Sequence, residues 1–143
     1  MKSITREVAM RKKALMFTFS AVLAVAFAGA ALADQHAVKL SEKEGLGKFL
    51  ADSKVITLYL FKKDSPGKSA CAGPCVEKWP LYHREKVDVA AGVKAEDFGA
   101  ISRDDGKKQT TYKGMPLYYF VGDKNPGDTA GQGMGGVWYV VNP

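Results

Sequence analysis

Cys71 and Cys75 are spaced C-x-x-x-C in the stretch Ser69-Ala70-Cys71-Ala72-Gly73-Pro74-Cys75, and His83 follows shortly after. Two thiolates and an imidazole, completed by Met115 or Met134, make a donor set for Cu(I), because soft sulfur ligands select that ion. The same two thiols could cycle as a redox dithiol. An even cysteine count behind a secretory signal argues instead for a structural disulfide, and Gly73-Pro74 suits the tight turn a short bridge needs. Chain-entropy arithmetic gives so small a loop about 2 kcal/mol. The spacing is neither C-x-x-C nor C-x-x-C-H, which weighs against thioredoxin-like activity and covalent haem. We adopt the disulfide Cys71–Cys75 with no cofactor. Copper held by Cys71, Cys75 and His83 is the alternative, with a periplasmic copper or electron-transfer accessory protein as the function it implies. His36, the other histidine, falls in a polar lead-in.

Other chemistry-bearing residues read as turn chemistry. Asp64, Asp123 and Asp128 could offer clustered oxygens to calcium, but no EF-hand spacing is present. An aspartate just before a turn commonly caps backbone N–H groups with its own carboxylate. Asp104-Asp105 is expected at a solvated hairpin tip, a poor place for a general acid/base pair. Gly131-Gln132-Gly133-Met134-Gly135-Gly136 spells G-x-G-x-x-G. A dinucleotide site needs a strand before that motif and a helix after it, and here a loop precedes and a strand follows. Those glycines are expected to permit positive backbone dihedrals in a tight loop. No Ser/His/Asp order or metal-hydrolase motif is visible, so a non-enzymatic protein is expected.

The elements that must position these residues are announced by a repeat. Tyr59-Leu60-Phe61-Lys62-Lys63-Asp64 recurs as Tyr118-Tyr119-Phe120-Val121-Gly122-Asp123, each followed by Pro-Gly (Pro66-Gly67, Pro126-Gly127). Leu58 and Leu117 precede the tyrosines, and Ser69 and Thr129 lie beyond the Pro-Gly. Large apolar residues running into Asp and Pro-Gly describe a buried strand ending in a tight turn. Tyr59 and Phe61 share one face of that strand while Leu58 and Leu60 share the other, so it should be covered on both sides.

The first 33 residues stand apart. Arg6, Arg11, Lys12 and Lys13 form a basic leader, residues 14–28 are apolar, and Ala31-Leu32-Ala33 is an A-x-A cleavage site. Export to the periplasm or beyond is expected, with no lipidation Cys after the cleavage site and no stable membrane anchor once the signal is removed. The whole chain carries 21 Lys+Arg against 15 Asp+Glu, a net +6, but the leader holds five of those bases and one acid, leaving +2. The remaining lysines are interleaved with acids, so a nucleic-acid surface is not expected.

The mature 110 residues suffice for one domain with a modest core. Residues 34–45 are expected as a loose lead-in and 46–143 as the domain. Strands are expected over 46–50 and 55–61, joined by an Asp52-Ser53-Lys54 turn. A hairpin over 99–103 and 109–112, with Asp104-Asp105-Gly106-Lys107 at its tip, leads through Lys113-Gly114 to a strand over 115–121, with Pro116 near its start. Val137-Trp138-Tyr139-Val140-Val141 closes the chain as a strand. Turns of helix are expected at 75–78 and 94–98. The fold class is all-β: a small antiparallel sandwich or meander of six to seven short strands with one internal disulfide.

In these stretches, together with Trp79-Pro80-Leu81, the run from Gln109 to Phe120, and Gly127-Asp128-Thr129 through Gly136-Val137-Trp138, the chain resembles the secreted-repeat family of predicted bacterial lipoproteins marked by Y-x-[FWY]-x-x-D. The resemblance spans about residues 46–143. It implies an exported, small, β-rich domain and brings no established molecular function. Two departures matter: the lipidation Cys is lacking, and Tyr139 stands where members often carry His. The expected role is a binding or envelope-interaction module whose partner is an envelope protein or small ligand. Tyr59, Phe61, Asp64, Tyr118, Phe120 and Asp123 would build its core and turns, with the Pro-Gly and Gly-rich loops as rims.

Overall fold

Val38 and Leu40 alternate with Lys39 and Ser41, and this short alternation forms β1 (Val38–Lys43) in the computed structural model, which describes residues 36–143. The expected signal segment, 1–33, lies outside the described residues. The expected loose lead-in at 34–45 is thus corrected: its polar composition reflects a strand with one half-exposed face rather than a tail. β1 pairs antiparallel with β2 (Gly47–Asp52), Leu40 opposite Leu50. The expected pair of segments at 46–50 and 55–61, joined by the Asp52-Ser53-Lys54 turn, is present in shortened form: Ala51 bridges Thr57, Asp52 N–H donates to Ile56 O and Leu58 N–H to Leu50 O. β2 turns back on β1, and the regular part of the next segment is only β3 (Tyr59–Phe61).

The second half follows the same plan. A 3₁₀ turn at Ala95–Asp97 leads into β4 (Phe98–Ser102), which forms a meander with β5 (Lys108–Tyr112) and β6 (Met115–Pro116). The strand expected to run to 121 is shorter, because Tyr118 and Tyr119 turn their backbone N–H groups to Tyr59 and Pro80. β7 (Trp138–Val140) pairs with β3, Phe61 opposite Trp138. α1 (Pro74–Lys78) is the one α-helical segment among the described residues. The architecture is three small antiparallel sheets with almost no helix and a Cys71–Cys75 disulfide, the all-β class expected.

Two units emerge, β1 through Tyr82 and β4 through Val141, and each completes the other. Leu58 N–H donates to Leu50 O, but both residues then bond to Val141 of the second unit: Leu50 N–H to Val141 O at 2.8 Å, and Val141 N–H to Leu58 O at 3.3 Å. The mirror set reads Leu117 N–H to Thr110 O, Thr110 N–H to Tyr82 O at 2.9 Å and Tyr82 N–H to Leu117 O at 3.0 Å. At the centre Tyr59 and Tyr118 exchange both backbone bonds, at 2.9 and 3.1 Å. The last strand-like segment of each unit is therefore lent to the other.

The strand Leu58–Phe61 separates two cores, as its two-faced apolar pattern requires. Tyr59, Phe61, Tyr118, Trp79, Trp138 and Phe49 fill one, and Leu58, Leu117, Leu50, Val38, Tyr82 and Val141 fill the other. In the first, Phe61, Trp138, Trp79 and Phe120 stack as four rings with centroids 4.2, 3.7 and 4.4 Å apart. Tyr59 sets its edge on Trp79 and Tyr118 its edge on Trp138. Each such pair adds about 0.5–1.5 kcal/mol beyond area burial.

Val55 is held at φ 65°, a region hostile to a β-branched residue, while its counterpart Gly114 sits at φ 83°. Both carbonyls take the glycine N–H of the other unit's Pro-Gly turn: Gly127 to Val55 at 2.9 Å and Gly67 to Gly114 at 2.8 Å. Val55→Gly relieves the strain without touching that bond, and we expect it to stabilise the domain by about 0.5–1 kcal/mol in urea titrations. A loss of stability would show that Val55's side chain contributes more than its backbone costs.

Candidate functional site

The repeated tyrosines and aspartates meet crosswise. Each aspartate ends its strand and looks back at the loop beyond its Pro-Gly turn: Ala70 N–H donates to Asp64 Oδ1 at 2.6 Å, and Ala130 N–H to Asp123 Oδ1 at 2.8 Å. The second carboxylate oxygen takes the hydroxyl of the other unit's tyrosine. Tyr118 donates to Asp64 Oδ2 and Tyr59 to Asp123 Oδ2, both at 2.7 Å. The capping role expected for these aspartates is thus doubled by a bond between units. Asp128 caps its own turn, accepting the Lys124 and Asn125 N–H groups.

A cation steadies each crossing. Lys43 Nζ donates to Thr129 Oγ1 at 3.0 Å, and sixty positions on Arg103 Nη1 donates to Ser69 Oγ at 2.6 Å. Ser69 in turn lies 2.6 Å from the Tyr118 hydroxyl, forming the relay Arg103, Ser69, Tyr118, Asp64. Arg103 is buried, and also donates to Gln109 Oε1, Asp105 Oδ2 and the Cys71 carbonyl. Its charge does not reverse the effect of burial, which raises Asp64 above the usual carboxylate range; Asp123 is raised for the same reason. Burial and the facing carboxylates push Tyr59 and Tyr118 up in turn.

Neither Ser69, Thr129, Lys43, Arg103 nor Gln109 stood out in the sequence as partners of the motif. The available signal was positional: Ser69 and Thr129 hold equivalent places beyond the Pro-Gly, and Lys43 and Arg103 equivalent places at the ends of the outer hairpin strands.

The disulfide breaks the equivalence. Cys71 and Cys75 correspond to Gly131 and Gly135, so one unit closes its loop with a bridge and the other with glycines. A Cβ at Gly131 would meet the Trp79 ring at 2.7 Å and Tyr59 at 3.0 Å, leaving no room there for a second cysteine. The G-x-G-x-x-G letters serve backbone geometry, with Gly133, Gly135 and Gly136 at φ 73°, 59° and 69°. With both sulfurs in the bridge, neither cysteine is available as a thiolate ligand. His83 is placed elsewhere, its Nε2 3.3 Å from Glu85 Oε1. Met134 is exposed. Among the described residues no three His, Cys, Asp or Glu side chains come together as a metal site.

Three adjoining clefts lie beside β4. One cleft of about 130 Å³ runs between Gly67–Ser69 and Ile101–Asp105; a second, about 190 Å³, joins it at Ile101 and Ser102 and reaches His83, Arg84 and Lys108. A third, about 290 Å³, continues over Arg84, Glu85 and Ala100 to Val87 and Phe98. Of the loops expected as rims, the first Pro-Gly turn therefore lines this trough through Gly67.

Two interlocked units, each a β hairpin followed by a strand, a Pro-Gly turn and an exchanged tail, define a tandem-repeat all-β domain. The chain belongs to the family described as a secreted repeat of unknown function, whose model matches it twice, over residues 42–82 and 99–142, more than half its length. The matched stretches end at Tyr82 and next to Val141, the two residues each unit lends to the other. No curated protein and no solved structure matches the chain.

A carboxyl whose pKa is raised by folding favours its protonated form in the folded state. Its contribution is present below about pH 4 and is lost as pH rises through the folded value. Asp64→Asn removes that titration and leaves one of two buried bonds unmet, a cost of about 1–3 kcal/mol. The stability gap between wild type and Asp64→Asn should therefore be widest at acid pH and narrow towards neutrality in urea melts. A gap that widens with pH would show that the ionised carboxylate is the better acceptor here.

Proposed function

We propose that this is an exported, non-enzymatic binding domain of the cell envelope, and that its ligand surface is the trough along β4. The observation that carries the reading is the continuity of the three clefts over Phe98–Asp105. Binding residues concentrate on loops over a rigid scaffold, and the trough is walled by two such loops, 67–72 and 83–87. The paired tyrosines and aspartates support that scaffold rather than touching a ligand. The family's description as secreted supports export, and the A-x-A signal at residues 31–33 supports cleavage of the leader.

Placing a photo-crosslinking amino acid at Lys108 or Ala100, inside the trough, should trap a discrete adduct in the cells that export the protein. The same group at Lys54, away from these clefts, should not. Equal trapping at Lys54, or none at either trough position, would contradict the assignment of this surface.

A further inference from the structure

The two units are equivalent in their bonds but not in the covering of their outer strands. β1 and β4 hold the same place: each is the outer strand of its unit's hairpin, with the cation that reaches across to the other unit at its end, Lys43, or just beyond it, Arg103. The outer edge of β1 is covered at its first residue, Val38. Val38 N–H donates to Asp88 O at 3.1 Å and Ala90 N–H donates to Val38 O at 3.0 Å, so residues 88–90 lie on β1 as a short parallel strand. Val87, Val89 and Val93 of that segment pack against the core that holds Val38.

Nothing among the described residues does this for β4. Thr110 spends its N–H on Tyr82 and accepts Leu117 N–H, so Ala100 opposite it is a non-hydrogen-bonded pair. The backbone groups of Ala100 and Ser102 therefore point away from β5, and Gly99 and Ile101 carry the ladder. Among the described residues no bridge or backbone bond is made to the outward groups of Ala100 and Ser102, and both residues are exposed. The Phe98 N–H is given to Ala95, so the open row runs from the Phe98 carbonyl to Ser102. This row also lacks the usual protection of an edge: β4 contains no Pro, Lys or other charged residue. It opens into the trough described above.

We infer that β4 binds an extended segment of a partner polypeptide as an added strand. The inference deepens the binding-module reading and rests on it. The covered edge supplies a template for the occupant: a short run of alternating β-branched and small residues, Val87-Asp88-Val89-Ala90, lying parallel to the strand it covers. Charge distinguishes the partner from that template. Asp88 pairs with His36 at 3.4 Å just ahead of β1, whereas the residue in His36's place ahead of β4 is Glu96, followed by Asp97. The occupant of β4 is therefore a chain with a basic residue where the template has Asp88. Main-chain bonds supply its affinity, and the clefts select its side chains.

The probe is a capped peptide copying residues 86–91 with Asp88→Lys, titrated into the isotopically labelled mature domain. The Ala100 and Ser102 amides should shift and exchange with solvent at least tenfold more slowly, with an affinity of about 1 mM or better. Ala100→Pro deletes one outward N–H and leaves the β4–β5 ladder intact, since an edge position tolerates it. It should weaken the peptide about tenfold or more while the melting temperature and the other amide shifts stay in place. The unaltered peptide, with Asp88, should bind more weakly than the Lys form. Binding unaffected by Ala100→Pro, no amide shifts along β4, or protection of β4 only through self-association at high protein concentration would each overturn strand addition. Crosslinks from the trough that survive Ala100→Pro would overturn strand addition while leaving the binding-module reading standing. Their absence from every trough position in the parent protein would overturn both.

Discussion

Each of the two tyrosine hydroxyls is buried and can give away one proton, and each finds its acceptor only on the other unit's aspartate. A buried hydroxyl without a partner costs more than the bond returns when it is made, so neither unit can close its core alone. The rest of the structure follows from that constraint. The two strands must lie side by side for the hydroxyls to cross, which sets the backbone exchange between Tyr59 and Tyr118. Once they do, Phe61 faces Trp138 and Phe120 faces Trp79, and the two tryptophans stack between them. The exchanged tails then supply the third member of each backbone ring. The Pro-Gly turns are drawn in by the same symmetry, each giving a glycine N–H to the opposite hairpin tip.

Several departures from equivalence cluster around Arg103. The unit with Phe49 in its hairpin is balanced by one with Gln109, and Gln109 brings the buried Arg103 that braces Ser69 and the Cys71 carbonyl. The disulfide belongs to the same neighbourhood. Arg103 and Ser69 also line the first cleft, so the surface proposed for binding sits directly over the most heavily braced part of the framework. Rigidity beneath a binding surface reduces the ordering cost of association. The inter-repeat segment exists once, and it covers the start of β1 at Val38.

Much of this was legible in the sequence. The doubled Tyr-x-Phe-x-x-Asp pattern announced two strand-turn units, the two apolar faces of Leu58–Phe61 announced two cores, and the short even cysteine pair announced the bridge. β1 was missed because Lys39, Ser41 and Glu42 outweigh Val38 and Leu40 in a composition-based reading, although the alternation was there. The crossing of tyrosine and aspartate was not written in the spacing as a pairing. The trough along β4 had no linear signal, since its walls come from separate segments, 67–72 and 83–87, set beside 98–105.

A double-mutant cycle on stability separates the crossed pairing from the alternatives. Tyr59→Phe, Asp123→Asn and their combination, measured by urea denaturation, should show a coupling of about 1–3 kcal/mol. The uncrossed cycle of Tyr59→Phe with Asp64→Asn should be additive within about 0.5 kcal/mol. Coupling between Tyr59 and Asp64, with additivity between Tyr59 and Asp123, would mean that each unit closes on itself and that the interlocked arrangement is wrong.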